Sequence, residues 1–86
     1  MPTHDQIAET ARGKLAADLG IPIEDIAVEA VEDVDWPDAS LGLPEPGQMY
    51  IQMITPGFRI TLKHGTERYV YHANQSGTTV RYNPRS

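Results

Sequence analysis

Ile7, Ala11, Leu15 and Leu19 recur every four residues, with mostly polar residues between them. That period places the four on one side of an α-helix. Thr3, with Gln6 three positions on, resembles a capping box at its start. Gly20 followed by Pro22 stops it. The predicted helix covers about 5–19. Gly13 inside it costs about 1 kcal/mol against alanine, so close packing of the helix on a sheet is expected there.

After a short turn over 21–26 the apolar period changes to two. A valine-rich strand with alternating acids is predicted over 27–36. Val28, Ala30, Val34 and Trp36 share a parity that Glu32 interrupts, and a bulge near Val31 is expected to restore the register. Met49, Ile51 and Met53 alternate with Tyr50, Gln52 and Ile54, predicting a strand over 48–55. Pro56-Gly57 reads as a type II turn. Phe58, Ile60 and Leu62 predict a strand over 58–63, and His64-Gly65 a two-residue hairpin turn. Tyr69, Tyr71 and Ala73 predict a strand over 68–73. A turn at 74–77 leads to a last strand over 78–82.

These turns fix registers. The first places Met53 opposite Ile60 and Ile51 opposite Leu62. The second places Ile60 opposite Tyr69 and Phe58 opposite Tyr71. One apolar face runs through all three strands without a clash of parity, and a one-residue slip would invert a strand. The helix stripe is the natural cover for that face. The expected fold is α+β: one N-terminal helix packed on a four- to five-stranded antiparallel meander sheet, in a single domain over 1–86. The opposite face, carrying Arg59, Lys63, Arg68 and His72, is expected to be basic and wet.

A chain of 86 residues has room for one small core. It contains no cysteine, which excludes disulfides and thiolate chemistry and permits a reducing compartment. The start, MPTHDQ, lacks a basic segment followed by an apolar run, and no apolar stretch approaches the roughly 18 residues of a membrane span. A cytoplasmic location is the expectation, with secretion open if a signal has been removed. The net charge of -5 is unevenly distributed. Residues 1–45 hold eleven acids and two bases, whereas 46–86 hold one acid and five bases. The two halves are expected to pair across the fold; two surfaces of opposite sign that steer a charged partner are the alternative.

Candidate chemistry is sparse. Glu32, Asp33, Asp35 and Asp38 lie close together but lack a calcium-loop spacing, and no metal is expected. His4, His64 and His72 are scattered, and Ser40, Ser76 and Ser86 fall in loops or the tail, so no catalytic residues are assigned. The dispersed glycines make no phosphate cradle, and no cofactor is expected. An acidic chain lacks the basic footprint of a nucleic-acid binder, and neither nucleic acid nor membrane is an expected partner.

The stretch WPDASLGLPEPG, from Trp36 to Gly47, is the strongest clue. A loop of this length is uncommon in a small domain and is often functional. Trp36 and Leu41 are expected to anchor it against the sheet, closing an end of the core. Pro37 and Asp38 open it, and Pro44, Glu45 and Pro46 present its tip. Proline stiffening lowers the entropy lost on binding. Pro56 and Gly57 in the neighbouring hairpin complete the candidate binding surface, and Arg59 sets its charge environment.

W-P-D-A-S-L-G-L-P-E-P-G, Q-M-I-T-P-G-F-R-I and R-Y-V-Y-H together resemble a small bacterial domain family of uncharacterised function. Its pattern is a W-P-D-x-[S/C]-L-G loop, a T-P-G-[F/Y]-R hairpin and a Y-x-Y-H strand. Some relatives have cysteines in or near the loop, where this chain has Ser40, Leu43 and Tyr50, so the resemblance implies no thiol role here. A helix followed by a meander is also loosely similar to cystatin-like and PepSY-like folds, which implies a fold but no activity. The expected function is a small non-catalytic protein-binding module, peptidase-inhibitor-like in its sharpest form, using the 37–47 loop. The partner is expected to be another protein. A homo-oligomer formed through the 27–35 strand is one alternative, and a ligand carrier or enzyme using the basic sheet face is another.

Overall fold

The computed structural model describes residues 3–43, 46–50 and 52–84. Helix α1 covers His4–Leu19. Thr3 caps it: its hydroxyl accepts from the Gln6 amide, and the Gln6 side chain accepts from the Thr3 amide. These bonds satisfy two of the donors that a helix start leaves open. Gly20 ends it in the left-handed conformation, φ 67°, and its N–H bonds to the Ala16 carbonyl. A 3-10 turn over Ile23–Asp25 leads into the sheet.

Four strands follow: β1 (Ala27–Trp36), β2 (Thr55–His64), β3 (Glu67–Asn74) and β4 (Val80–Asn83). They form one antiparallel sheet in the order β1-β2-β3-β4. The α+β arrangement is thus a helix on a four-stranded meander. Ile7, Ala8, Ala11 and Leu15 of α1 pack with Ile26, Phe58, Ile60, Leu62, Tyr71 and Ala73, and all ten are buried. Arg12 ties the helix to the turn, donating to the Ile23 and Ile26 carbonyls at 2.8 and 3.0 Å. His4, at the other end of α1, lies edge-on to Phe58 and 3.0 Å from Asp33 on β1.

Several expectations need correction. The described residues within 48–54 form no strand. β1 occupies the β2 edge instead, with Val31 opposite Ile60 and Val28 opposite Leu62. Met53 therefore does not face Ile60, and Ile51 lies outside the described residues. Pro56-Gly57 is not a turn but part of β2, opposite Asp35 and Val34. β1 carries charge complementarity into the pairing, with Glu32 opposite Arg59 and 3.5 Å from it, which favours this neighbour. Glu32 needs no bulge to explain it, because its face is the one turned away from α1. The bulge falls earlier, between Val28 and Ala30.

The β2–β3 register differs from expectation by two residues. Ile60 faces Tyr71 and Phe58 faces Ala73, because the tight turn is Gly65-Thr66 rather than His64-Gly65. A shift of two preserves parity, so every side chain keeps its predicted face. Gly13 is not a packing site: a Cβ there would meet nothing within 4 Å.

Candidate functional site

The face of the sheet opposite α1 is not uniformly wet. Residues 37–43 fold back over its middle. β1 ends at Trp36, whose indole stacks on the His72 ring of β3, centroids 4.1 Å apart and planes 22° apart. The indole N–H donates to the Ala73 carbonyl at 3.1 Å. Gly57 lies beneath the ring. A Cβ there would come within 2.0 Å of the Ala73 oxygen and 2.8 Å of the indole nitrogen, so only glycine leaves room for the indole.

The loop then turns on Asp38, whose carboxylate accepts from the Ser40 amide and hydroxyl. The Ser40 hydroxyl is the largest cause holding the Asp38 carboxyl below its usual range. Leu41 follows in the left-handed conformation, φ 60°. That geometry is costly for a branched side chain and persists where surrounding contacts enforce it. Here the Leu41 side chain is buried, and its carbonyl lies 2.8 Å from His72 Nδ1. Arg81 of β4 donates to the Ser40 carbonyl at 3.3 Å.

His72 is therefore the centre of a clamp. With Nδ1–H donating to Leu41, Nε2 accepts from the Asn83 amide at 3.3 Å. Burial is the largest cause that lowers its pKa from 6.5, and Arg59 and Arg81 lower it further, while the Leu41 bond acts in the opposite sense. The imidazole is neutral near pH 7. Asp38, Ser40 and His72 are brought close, but their hydrogen bonds do not form a relay. The Ser40 hydroxyl bonds to Asp38, and both His72 nitrogens engage other groups.

The predicted site residues divide accordingly. Trp36 and Leu41 are buried, but on the face opposite α1, not at an end of its core. Pro37, Pro46 and Pro56 are exposed, Asp38 is half-buried and Gly57 is buried. Pro44 and Glu45 lie outside the described residues. His72, expected on an open basic surface, is 6% exposed. Arg59 pairs with Glu32, and Arg68 donates to Glu29 at 2.6 Å. Lys63 is half-buried opposite Ala27. The acids of β1 thus balance much of the basic character of this face. Among the described residues no three His, Asp or Glu side chains come together as metal ligands.

Beyond the clamp the chain changes character. Met49 is 97% exposed, Met53 61% and Ile54 68%. A cleft of about 330 Å³ lies between Asp38 and Gln48, Met49, Tyr50 and Gln52. Sequence reading missed Ser40, Arg81 and Asn83 as parts of the clamp. The short Asp38-x-Ser40 spacing, typical of a side-chain-capped turn, was the available signal for Ser40.

The fold and clamp define a small α+β domain whose sheet is covered on one face by a helix and on the other by its own β1–β2 connection. The chain belongs to the family described as Domain of unknown function (DUF8738), whose model matches residues 8–82. The match extends from α1 into β4 and includes the clamp residues Trp36, Asp38, Ser40, Leu41, Gly57, His72 and Arg81, ending one residue before Asn83. No curated protein and no solved structure matches the chain. Among the described residues no helix is long and apolar enough to cross a membrane.

Proposed function

We propose that this domain is a non-catalytic protein-binding module whose contact segment is the β1–β2 connection. The observation that carries the reading is the contrast within that connection. Residues 37–43 are fixed by the Trp36–His72 stack, the Leu41 bond and the Asp38 turn. The segment immediately beyond exposes Met49, Met53 and Ile54, and Thr55 returns it to the sheet. A segment tethered to a rigid base at both ends loses less entropy on binding than a free one. Methionine is well suited to such a surface because its flexible, polarisable side chain adapts to an apolar partner. Burying each of these side chains fully would contribute about 1.5–3 kcal/mol. Pro46 stiffens the approach to them, and the prolines at 44 and 56 bracket the segment in sequence.

Pairing of two copies through the free edge of β1 is the weaker reading. It would bring together rows that contain Glu29, Glu32, Asp33 and Asp35, and like charges opposite one another oppose strand pairing.

The test places a photo-crosslinking residue at position 49 and identifies the captured protein. Binding is then measured for the intact domain and for a Met49→Ser, Met53→Ser, Ile54→Ser variant. The expected result is a loss of at least tenfold in affinity with the fold retained. Equal affinity of the two forms would remove the loop from the interface. The peptidase-inhibitor-like form of the reading adds a narrower expectation: saturable inhibition of a captured peptidase, lost in the same variant.

A further inference from the structure

On the α1 side of the sheet, away from the clamp, lies a cleft of about 240 Å³. Leu15, Asp18 and Leu19 of the last helical turns line it together with Tyr69, Tyr71 and Tyr82. A second cleft of about 280 Å³ shares Asp18, Tyr71 and Tyr82 and reaches Lys14. The walls of the first are chiefly leucine side chains and tyrosine rings. Tyr82 sits 5.5 Å from Tyr71 and 6.2 Å from Tyr69, ring centroid to ring centroid.

Tyr71 is 2% exposed, and its hydroxyl is the buried side-chain polar atom that has no hydrogen-bond partner among the described residues. Buried polar groups are nearly always partnered, because burial strips water from them without replacement. An unpaired phenol beside a largely apolar cleft is therefore an exception that a bound acceptor would resolve.

We infer that this cleft binds a small neutral molecule with an aromatic or aliphatic body and one carbonyl-type oxygen, which accepts a hydrogen bond from the Tyr71 phenol. Lys14 and Asp18 carry opposite charges along the combined clefts, so neither a cation nor an anion is favoured over a neutral body. Burial, with smaller effects of Asp18 and Tyr82, pushes the Tyr71 pKa up to about 12. The phenol thus stays protonated and available as a donor at any ordinary pH. Its oxygen is closed to solvent in this conformation. Tyr82, which packs on the Tyr71 ring, is 42% exposed on the four-residue edge strand β4. This inference is independent of the protein-binding reading.

The test titrates the intact chain with acetophenone and with ethylbenzene, which has the same body but no acceptor, followed by amide NMR shifts. Saturable shifts are expected at Leu15, Leu19, Tyr69, Tyr71 and Tyr82, with acetophenone bound about tenfold more tightly. Tyr71→Phe should abolish that preference while leaving ethylbenzene binding intact. Leu19→Trp, at the exposed rim, should weaken both. Equal affinity of the two compounds, a preference that survives Tyr71→Phe, shifts centred on Gln48–Ile54, or no saturable shift would each overturn the inference.

Discussion

Gly57→Ala is the sharpest test of the clamp. The added methyl would sit 2.0 Å from the Ala73 oxygen, whereas ordinary contact begins near 3.4 Å. More than an ångström of movement is needed, and the obstacle is backbone in a paired strand. Forcing such a group into a packed site costs about 1–3 kcal/mol. The same methyl lies 2.8 Å from the indole nitrogen, so the Trp36 bond to Ala73 is lost as well, adding about 1 kcal/mol. The expected destabilisation is about 2–4 kcal/mol. At about 0.05–0.15 kcal/mol per residue, that is a large fraction of the stability of a chain this short. Urea unfolding followed by circular dichroism reads the energy. Trp36 is the chain's only tryptophan, so its fluorescence reports the clamp directly, and a red-shifted emission is expected in the folded variant. An unchanged urea midpoint together with unchanged emission would refute the account of Gly57 and of how the loop is held.

Three further expectations follow from the same structure. Gly13→Ala should stabilise by about 0.5–1 kcal/mol, because the helix interior gains a better helix former where nothing crowds the new methyl; a raised thermal midpoint checks it. His72 has a pKa lowered from 6.5. The unfolded chain therefore takes up a proton first, and stability present above about pH 6.5 declines as pH falls through the lowered value. Urea midpoints between pH 7.5 and 5 should show this slope, and His72→Phe should flatten it at some cost in stability. Met49→Ser and Met53→Ser should each shift stability by less than about 0.5 kcal/mol, because these side chains are exposed; a larger loss in urea unfolding would mean that the segment is part of the core.

Both helix ends were legible in the chain because capping chemistry is local. Thr3, Gln6 and Gly20 do what their types and spacing imply. The parity of 58–62 and 69–73 was legible for the same reason, and it survived a turn displaced by one residue. The stretch 48–55 misled because alternation shows that a segment can pair, not that it will. Its competitor for the β2 edge, 27–36, matched Glu32 to Arg59 and Val31 to Ile60, and a single edge accepts only one neighbour. Once β1 had taken it, Met49 and Met53 were left facing solvent.

The candidate site was half visible. The loop and its anchors Trp36 and Leu41 could be named from residue type, but not the face of the sheet on which they land. His72 stood out only as the one histidine on a predicted sheet face. Its meeting with Trp36, from two strands away, depends on register, on the sheet twist and on the absence of a side chain at Gly57. The sequence by itself determined the helix with its stops and the inward faces of β2 and β3, because periodicity and capping act over a few residues. Only the tertiary structure decided which strand borders β2, which side of the sheet the loop covers and which polar groups are sealed inside, because those outcomes are competitions between distant segments for the same surface.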